Sequence, residues 1–458
     1  MIRKNALCLA LVAGLSAVCS VASAKSPVAE MDSAPVVGAP SAGAMGAAEF
    51  ASSAKASVPR VVSLGQPTSL DASALKDRRV AQDKHGQPLE IGFARNIARS
   101  AVDLNTLAWQ PLADGGRAAR FEVSSSGAVA LRAGLSLRGA GAKSATLHFA
   151  GSDGRVFAQS GADFAGNELG WSPVVEGDTL TVELVLPKGV NAKSLTLKLP
   201  QLSHLDISPA ASERQIQAKI GESDSCERDI VCRTSPPSGF VSTAKSVARM
   251  TFTTGGGTYL CTGTLLNNNF SPKKRLFWTA AHCISTKTVA NTLQTYWFYD
   301  ATTCNGSVVN PAYTTLSGGA YLRHANTTRD TSLLELKTAP PAGAVYAGWS
   351  SAAIAATGTA IEGIHHPAGD VKKYSLGSVT GLSTSIDGKS PLYRVVWNTG
   401  VTEGGSSGSG LFTVTSSGGY QLRGGLYGGL SYCSAPRDPD YYSRFADIYS
   451  SVSQYFNP

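Results

Sequence analysis

Apolar and polar residues alternate with a period of two along much of this chain, the spacing of strands that bury one face. Between about residues 90 and 205 the alternation is carried by Arg120–Val123, Ala128–Arg132, Ser144–Phe149 and Thr179–Leu186, with glycine-containing turns between them. Short alternating strands of this kind predict a compact antiparallel β-sandwich. The pattern returns beyond residue 220 in Gln294–Tyr299, Leu392–Trp397 and Tyr420–Tyr427, and Asp330–Leu336 is an apolar run headed by an acid. Two stretches interrupt it. Residues 25 to about 60 are rich in Ala, Ser, Gly and Pro without periodicity, and read as a disordered lead-in. A polar connector near 206–225, holding Pro209, Ser212, Glu213 and Gln215, separates the two β-rich parts. The expectation is an all-β protein with two folded units.

The N-terminus sets the compartment. Arg3 and Lys4 precede the apolar run Ala6–Cys19, and Ala22-Ser23-Ala24 supplies an A-x-A cleavage site. This is the pattern of a secretory signal peptide, residues 1–24, cut after Ala24, so a secreted, extracellular protein is expected. No later run approaches the roughly 18 apolar residues of a membrane span, so no membrane anchor is expected. Charged residues make up only 16% of the chain and glycines number 48, which favours short strands and turns over long helices. The net charge of +8 is dispersed, with no basic block longer than Lys273-Lys274-Arg275 and no basic stripe interleaved with aromatics. That excludes a nucleic-acid binder as the reading of choice. Six of the eight cysteines lie beyond residue 220, and Cys8 and Cys19 leave with the signal peptide. An even number confined to one half of an exported chain reads as three disulfides, with 15 pairings open. No C-x-x-C pair supports a zinc site, and no metal or cofactor is expected.

The chemistry lies in three frames. Gly404-Gly405-Ser406-Ser407-Gly408-Ser409-Gly410 boxes a serine between glycines, which places a hydroxyl on a tight turn and frees backbone N–H groups to face the same space. Thr279-Ala280-Ala281-His282-Cys283 offers a histidine, and Asp330 stands between the two frames. Ser407 is the candidate nucleophile, His282 its general base, and Asp330 the group that orients the imidazole. Gly405 and Ser407 would donate their N–H groups to the oxyanion. The order His, Asp, Ser is that of the chymotrypsin-like proteases.

On these frames, with Cys261–Asn268, Ile364-His365-His366-Pro367, Val401–Gly410 and Gly425–Cys433, residues 220–458 resemble the secreted bacterial lysyl endopeptidases, the protease IV type among them. The resemblance implies a chymotrypsin-like double β-barrel with the triad in the cleft between barrels. It implies disulfides Cys226–Cys433, Cys232–Cys304 and Cys261–Cys283. It implies Asp440 as the acid that binds the substrate lysine, with Asp438 two residues away as the alternative. Ser431 would line that pocket, and Gly428 would offer its backbone to the substrate strand. One family branch has a histidine at the position of Tyr427 with a tryptophan stacked on it; here the 381–391 loop contains no tryptophan. His365 and His366 are adjacent on a strand, point to opposite faces and read as structural.

Residues 25–219 resemble the propeptide of such precursors, with the protease domain at 220–458. Lys219–Ile220 is the expected self-processing bond. The zymogen ion pair of many relatives requires an acid just before the nucleophile, and Ser406 stands there instead. Activation is then expected from loss of the propeptide, acting until then as folding assistant and inhibitor. The expected partners are lysine-containing protein and peptide substrates, with the enzyme a monomer. An Arg- or Lys/Arg-specific protease and a non-catalytic protease-fold binding protein are the alternative functions.

Overall fold

The period-two runs of the first half fold into two facing sheets. In one, Val156–Ser160, Thr146–Ala150, Thr179–Leu186 and Arg117–Ser125 lie antiparallel, and Arg60–Leu64 adds in parallel at the edge. The other runs Gly170–Trp171, Ala130–Gly139, Leu195–Leu205, Leu89–Asn96. Alternate side chains such as Phe121, Val123, Leu135, Leu147, Leu180 and Val182 are fully buried between them. Each such side chain is worth about 1.5–3 kcal/mol relative to exposure, and together they hold the layers face to face. The computed structural model describes residues 28–37, 48–53, 58–68, 86–209 and 223–458. The expected signal peptide with Ala24, and the Lys219–Ile220 bond, lie outside the described residues.

The second sheet does not stop at the sandwich. Leu89–Asn96 also pairs antiparallel with Gly257–Leu266, matching Gly92 to Thr258 and Leu89 to Leu260. One sheet therefore passes from the N-terminal unit into the first barrel. Arg132 fixes the junction. Its guanidinium is buried and donates to Ser172 O at 2.7 Å, Thr253 Oγ1 at 2.9 Å and Thr292 O at 2.7 Å. Burial lowers its pKa to about 10. Beside it, Val174 N donates to Gln294 Oε1 at 2.8 Å.

The first barrel is built from Val247–Thr254, Gly257–Leu266, Leu276–Thr279, Gln294–Trp297, Thr314–Leu316, Ala320–Asn326 and Thr331–Leu336 around Met250, Phe252, Phe277 and Trp297. The second closes on itself through Ala360–His365, Lys373–Ile386, Lys389–Thr399, Asp440–Tyr442, Tyr420–Gly429 and Gly410–Val414. Its core holds Val379, Val395, Trp397 and Tyr442. The architecture is a chymotrypsin-like double barrel preceded by a β-sandwich. Among the described residues no helix is long and apolar enough to cross a membrane.

One expectation needs correction. Part of the lead-in read as disordered is strand: Glu30–Met31 and Ala34–Pro35 pair with Gly348–Ser350 and Val345–Tyr346. Two-residue strands are too short to show periodicity, and their partners lie more than 300 residues away, so local pattern carried no sign of them.

Candidate active site

Leu276–Thr279 is buried along its whole length and pairs with Thr331–Leu336, matching Thr279 to Ser332. That register brings the loop after one strand beside the residue before the other. His282 stands in the loop, which the Cys261–Cys283 disulfide ties to the neighbouring strand. Asp330 stands at the head of the partner strand, with a φ of 51° that aspartate tolerates better than most residues. Its Oδ1 accepts from His282 N at 2.9 Å and its Oδ2 from His282 Nδ1 at 2.8 Å. With the proton held on Nδ1, Nε2 presents a lone pair, and it makes no hydrogen bond in this structure. The Tyr427 ring meets the imidazole edge-on at 5.9 Å.

Ser407 sits in the glycine turn that leads into Gly410–Val414. Gly408, at φ 81°, is there because nothing larger fits. A Cβ would overlap Thr279 Oγ1 and lie 2.7 Å from both Ala280 N and Thr262 O. The turn thus packs directly on the histidine loop. Two of its carbonyls are engaged: Gly404 O accepts from Ala368 N at 2.6 Å, and Ser406 O from Ser409 N at 3.0 Å. In a trans peptide the N–H points opposite to the carbonyl of the same unit. The N–H groups of Gly405 and Ser407 therefore point away from those two contacts.

The support of this turn comes from side chains outside the glycine frame. Ser406 Oγ is 2.8 Å from His365 Nδ1, and His365 Nε2 is 2.9 Å from Ser375 Oγ. Ser375 Oγ donates to Val401 O at 2.7 Å, so it accepts from Nε2–H and leaves Nδ1 to accept from Ser406. The imidazole is fully buried, and burial lowers its pKa to about 3, so it stays neutral at working pH. The imidazole thus links Ser406 to Ser375 in a neutral Ser–His–Ser chain, with the buried Glu227 Oε2 3.9 Å from Nε2. His366 turns the other way, with Nδ1 3.0 Å from Asp370 O. Cys261, His282 and Cys283 lie within metal-ligating distance of one another, but the two sulfurs are joined in a disulfide and offer no thiolate. The remaining bonds are Cys226–Cys433 and Cys232–Cys304.

Next to Ser407 opens a cavity of about 310 Å³ lined by Thr402, Glu403, Gly404, Gly428 and Ser431 among others. Asp440 lies behind it, wholly buried. Its Oδ2 accepts from Trp397 Nε1 at 2.6 Å and from Thr402 Oγ1 and Ser431 Oγ, each at 2.7 Å. Its Oδ1 accepts from Ser431 N at 3.2 Å. Burial pushes the carboxyl above its ordinary pKa while these donors pull it back. Asp438 is exposed, its N–H reaches Ala435 O, and it is not among the residues that line the cavity. Glu403 accepts from Asp224 N at 2.9 Å, and burial raises its pKa to about 7.

The N-terminal unit reaches into the same cleft. Gly86, Gln87 and Leu89 line the cavity, and Gly86 N donates to Tyr427 O at 3.2 Å. A side chain on Gly86, at φ 68°, would overlap the Tyr427 ring.

Residues 63–206 match the lysyl endopeptidase N-terminal domain family, and residues 220–443 the lysyl endopeptidase C-terminal domain family. A lysyl endopeptidase of Pseudomonas aeruginosa is 48% identical over 396 residues, which covers 83% of this chain and 85% of the relative. Solved structures similar to this chain include the Rv3671c protease of M. tuberculosis in its active form, 17% identical with a TM-score of 0.31, covering 46% of this chain and 82% of that one. The thermostable serine protease AL20 is 13% identical with a TM-score of 0.31, covering 47% and 96%. With both family domains present in order and a relative matched over most of its length, this chain belongs to the lysyl endopeptidase family and is a serine endopeptidase.

Proposed function

We propose that the protein cleaves peptide bonds on the carboxyl side of lysine. Ser407 attacks the scissile carbonyl, His282 Nε2 takes its proton, and Asp330 holds the imidazole in the Nδ1–H tautomer. The N–H groups of Gly405 and Ser407 stabilise the oxyanion, while Tyr427 and Gly428 border the substrate strand.

The observation that carries the specificity is the way Asp440 is held. Thr402 and Ser431 both donate their hydroxyl protons to Oδ2, and both line the cavity. Each hydroxyl oxygen keeps acceptor capacity, with Ser431 Oγ also accepting from Thr402 N at 3.2 Å, and the buried negative charge lies directly behind them. An ammonium fits this arrangement as a point charge with three rotatable donors. A guanidinium brings five donors in a fixed fork and needs more acceptors than two hydroxyls supply. Lysine is favoured over arginine on that ground.

The polypeptide is a secreted precursor. Its signal peptide is removed after Ala24, and the enzyme itself cuts Lys219–Ile220. Until then residues 25–219 inhibit it, a reading supported by Gly86–Leu89 in the cleft and by Leu89–Asn96 on the barrel edge. The processed enzyme acts as a monomer.

Digestion of a mixed peptide library by the processed enzyme tests the specificity, with Ser407→Ala as control. Cuts after lysine alone are expected, and cuts after arginine at comparable rates would transfer the assignment to a general basic-residue protease. Ser407→Ala should lose turnover on the order of a million-fold and accumulate as uncut precursor. Residual turnover within tenfold of wild type would remove Ser407 from its role. Terminal sequencing of the wild-type product should begin at Ile220.

A further inference from the structure

Val28 to Val37 adds to the protease rather than to the sandwich. Its two short strands match Glu30 to Ser350, Met31 to Trp349, Ala34 to Tyr346 and Pro35 to Val345. These partners belong to the connection between the two barrels. Ala29 exchanges bonds with Ser351: its N–H donates to Oγ and its carbonyl accepts from the Ser351 N–H, each at 2.8 Å. Asn267 Nδ2 donates to Asp32 O at 2.7 Å, Val36 N to Ala344 O at 2.9 Å, and Ser350 Oγ to Glu30 Oε1 at 2.8 Å. Ala29 and Met31 pack on the cluster around Trp349, Phe445 and Phe456, while Val36 packs on the core of the first barrel. The approach is close enough to demand glycine on the receiving side, since a Cβ on Gly348 would lie 2.6 Å from Met31 O.

Ten residues thus lie along the inter-barrel connection, against the Trp349 cluster and the core of the first barrel, and they lie outside both matched family domains. The sequence around them carries a second observation. No lysine occurs between Lys25 and Lys55, whereas the sandwich contains several, including Lys143, Lys188, Lys193 and Lys198.

We propose that residues 28–37 remain seated on the inter-barrel connection after processing, as a non-covalent strand of the active enzyme on the fragment bounded by Lys25 and Lys55. The proposal rests on the lysine specificity above, because that specificity is what spares the fragment while the sandwich is digested. The receiving edge is an open strand with backbone groups to satisfy, and Met31 covers apolar surface on the Trp349 cluster.

Native mass spectrometry of the processed wild-type enzyme tests this directly. The expected mass is that of the protease plus a peptide containing residues 28–37, and the two should separate under denaturing conditions. A native mass of the protease alone would overturn the proposal. Full-length Met31→Asp should process normally yet lose the fragment, with Tm falling about 5 °C or more. A synthetic peptide of residues 26–37 should restore that Tm, and the same peptide carrying Met31→Asp should not. Should the variant fail to fold, exchange of a labelled 26–37 peptide onto the wild-type enzyme replaces it, and no incorporation counts against the site. Failure of the specificity reading has a different signature: residues 26–54 hold no arginine either, so an arginine-cutting enzyme would leave a fragment ending at Arg60 instead of Lys55 while the 28–37 piece still travels with the enzyme.

Discussion

Replacing Asp440 with asparagine removes the charge behind the cavity while keeping size and shape, and the surrounding hydrogen bonds dictate how the amide must sit. Three donors converge on Oδ2 and one on Oδ1. The Trp397 N–H cannot rotate away, so the amide oxygen takes the Oδ2 position and the NH₂ faces Ser431 N–H. One buried donor loses its acceptor, a stability cost of about 1–3 kcal/mol. The catalytic cost is larger. A lysine ammonium entering the variant meets two hydroxyls with no charge behind them, and removing one member of a buried ion pair costs about 3–5 kcal/mol. At roughly 1.4 kcal/mol per decade, kcat/KM for lysine substrates should fall by about 10²–10⁴. The turn carrying Ser407 is untouched, so a small acylating agent that makes no use of the cavity should titrate the same fraction of active sites. The precursor should remain uncut at Lys219–Ile220 if maturation is autocatalytic. Steady-state kinetics on a lysyl anilide, active-site titration and the N-terminal residue of the product give the three readings. A fall of less than tenfold with lysine preference intact would refute the role of the charge. Loss of titratable serine would show instead that pocket and turn are not separable.

The same geometry yields three more expected outcomes. Gly408→Ala should abolish activity and depress stability, since its methyl group would be driven into the Thr279–Ala280 backbone at a left-handed φ; a variant with wild-type Tm and turnover would contradict the packing of turn on histidine loop. Replacing Cys261 and Cys283 together by serine opens a 22-residue separation and should cost about 3 kcal/mol, read from denaturant unfolding of the processed enzyme, with activity lost before global structure. Burial raises Glu403 from 4.5 to about 7, so the folded protein keeps a proton that the unfolded chain has released. Stability should therefore fall as pH rises from about 4.5 to about 7, and Glu403→Gln should make that fall shallower; parallel melting curves for variant and wild type would show that the group does not contribute.

The β-rich class was legible in the sequence because strand periodicity is local, and a run such as Thr179–Leu186 shows its buried face without knowing its partner. The frames around His282, Asp330 and Ser407 were legible for a related reason, since a glycine-boxed turn or an acid heading an apolar run is written in consecutive residues. Asp438 and Asp440 could not be separated this way. Both are acids in one short segment, and only the strand pairing that buries Asp440 beneath Trp397, Thr402 and Ser431 distinguishes them. The chain that fixes Ser406 was hidden as well, because His365 and Ser375 reach it through a strand pair rather than through any motif.

The sequence by itself therefore determined the β-rich class, the longer strands and the family, all of which depend on near neighbours along the chain. Only the tertiary structure decided which acid lies behind the cavity, how the N-terminal unit enters the cleft at Gly86, and that residues 28–37 seat between the barrels. Those features arise where segments hundreds of residues apart satisfy one another's backbone groups and bury one another's side chains, and no local pattern encodes such a meeting.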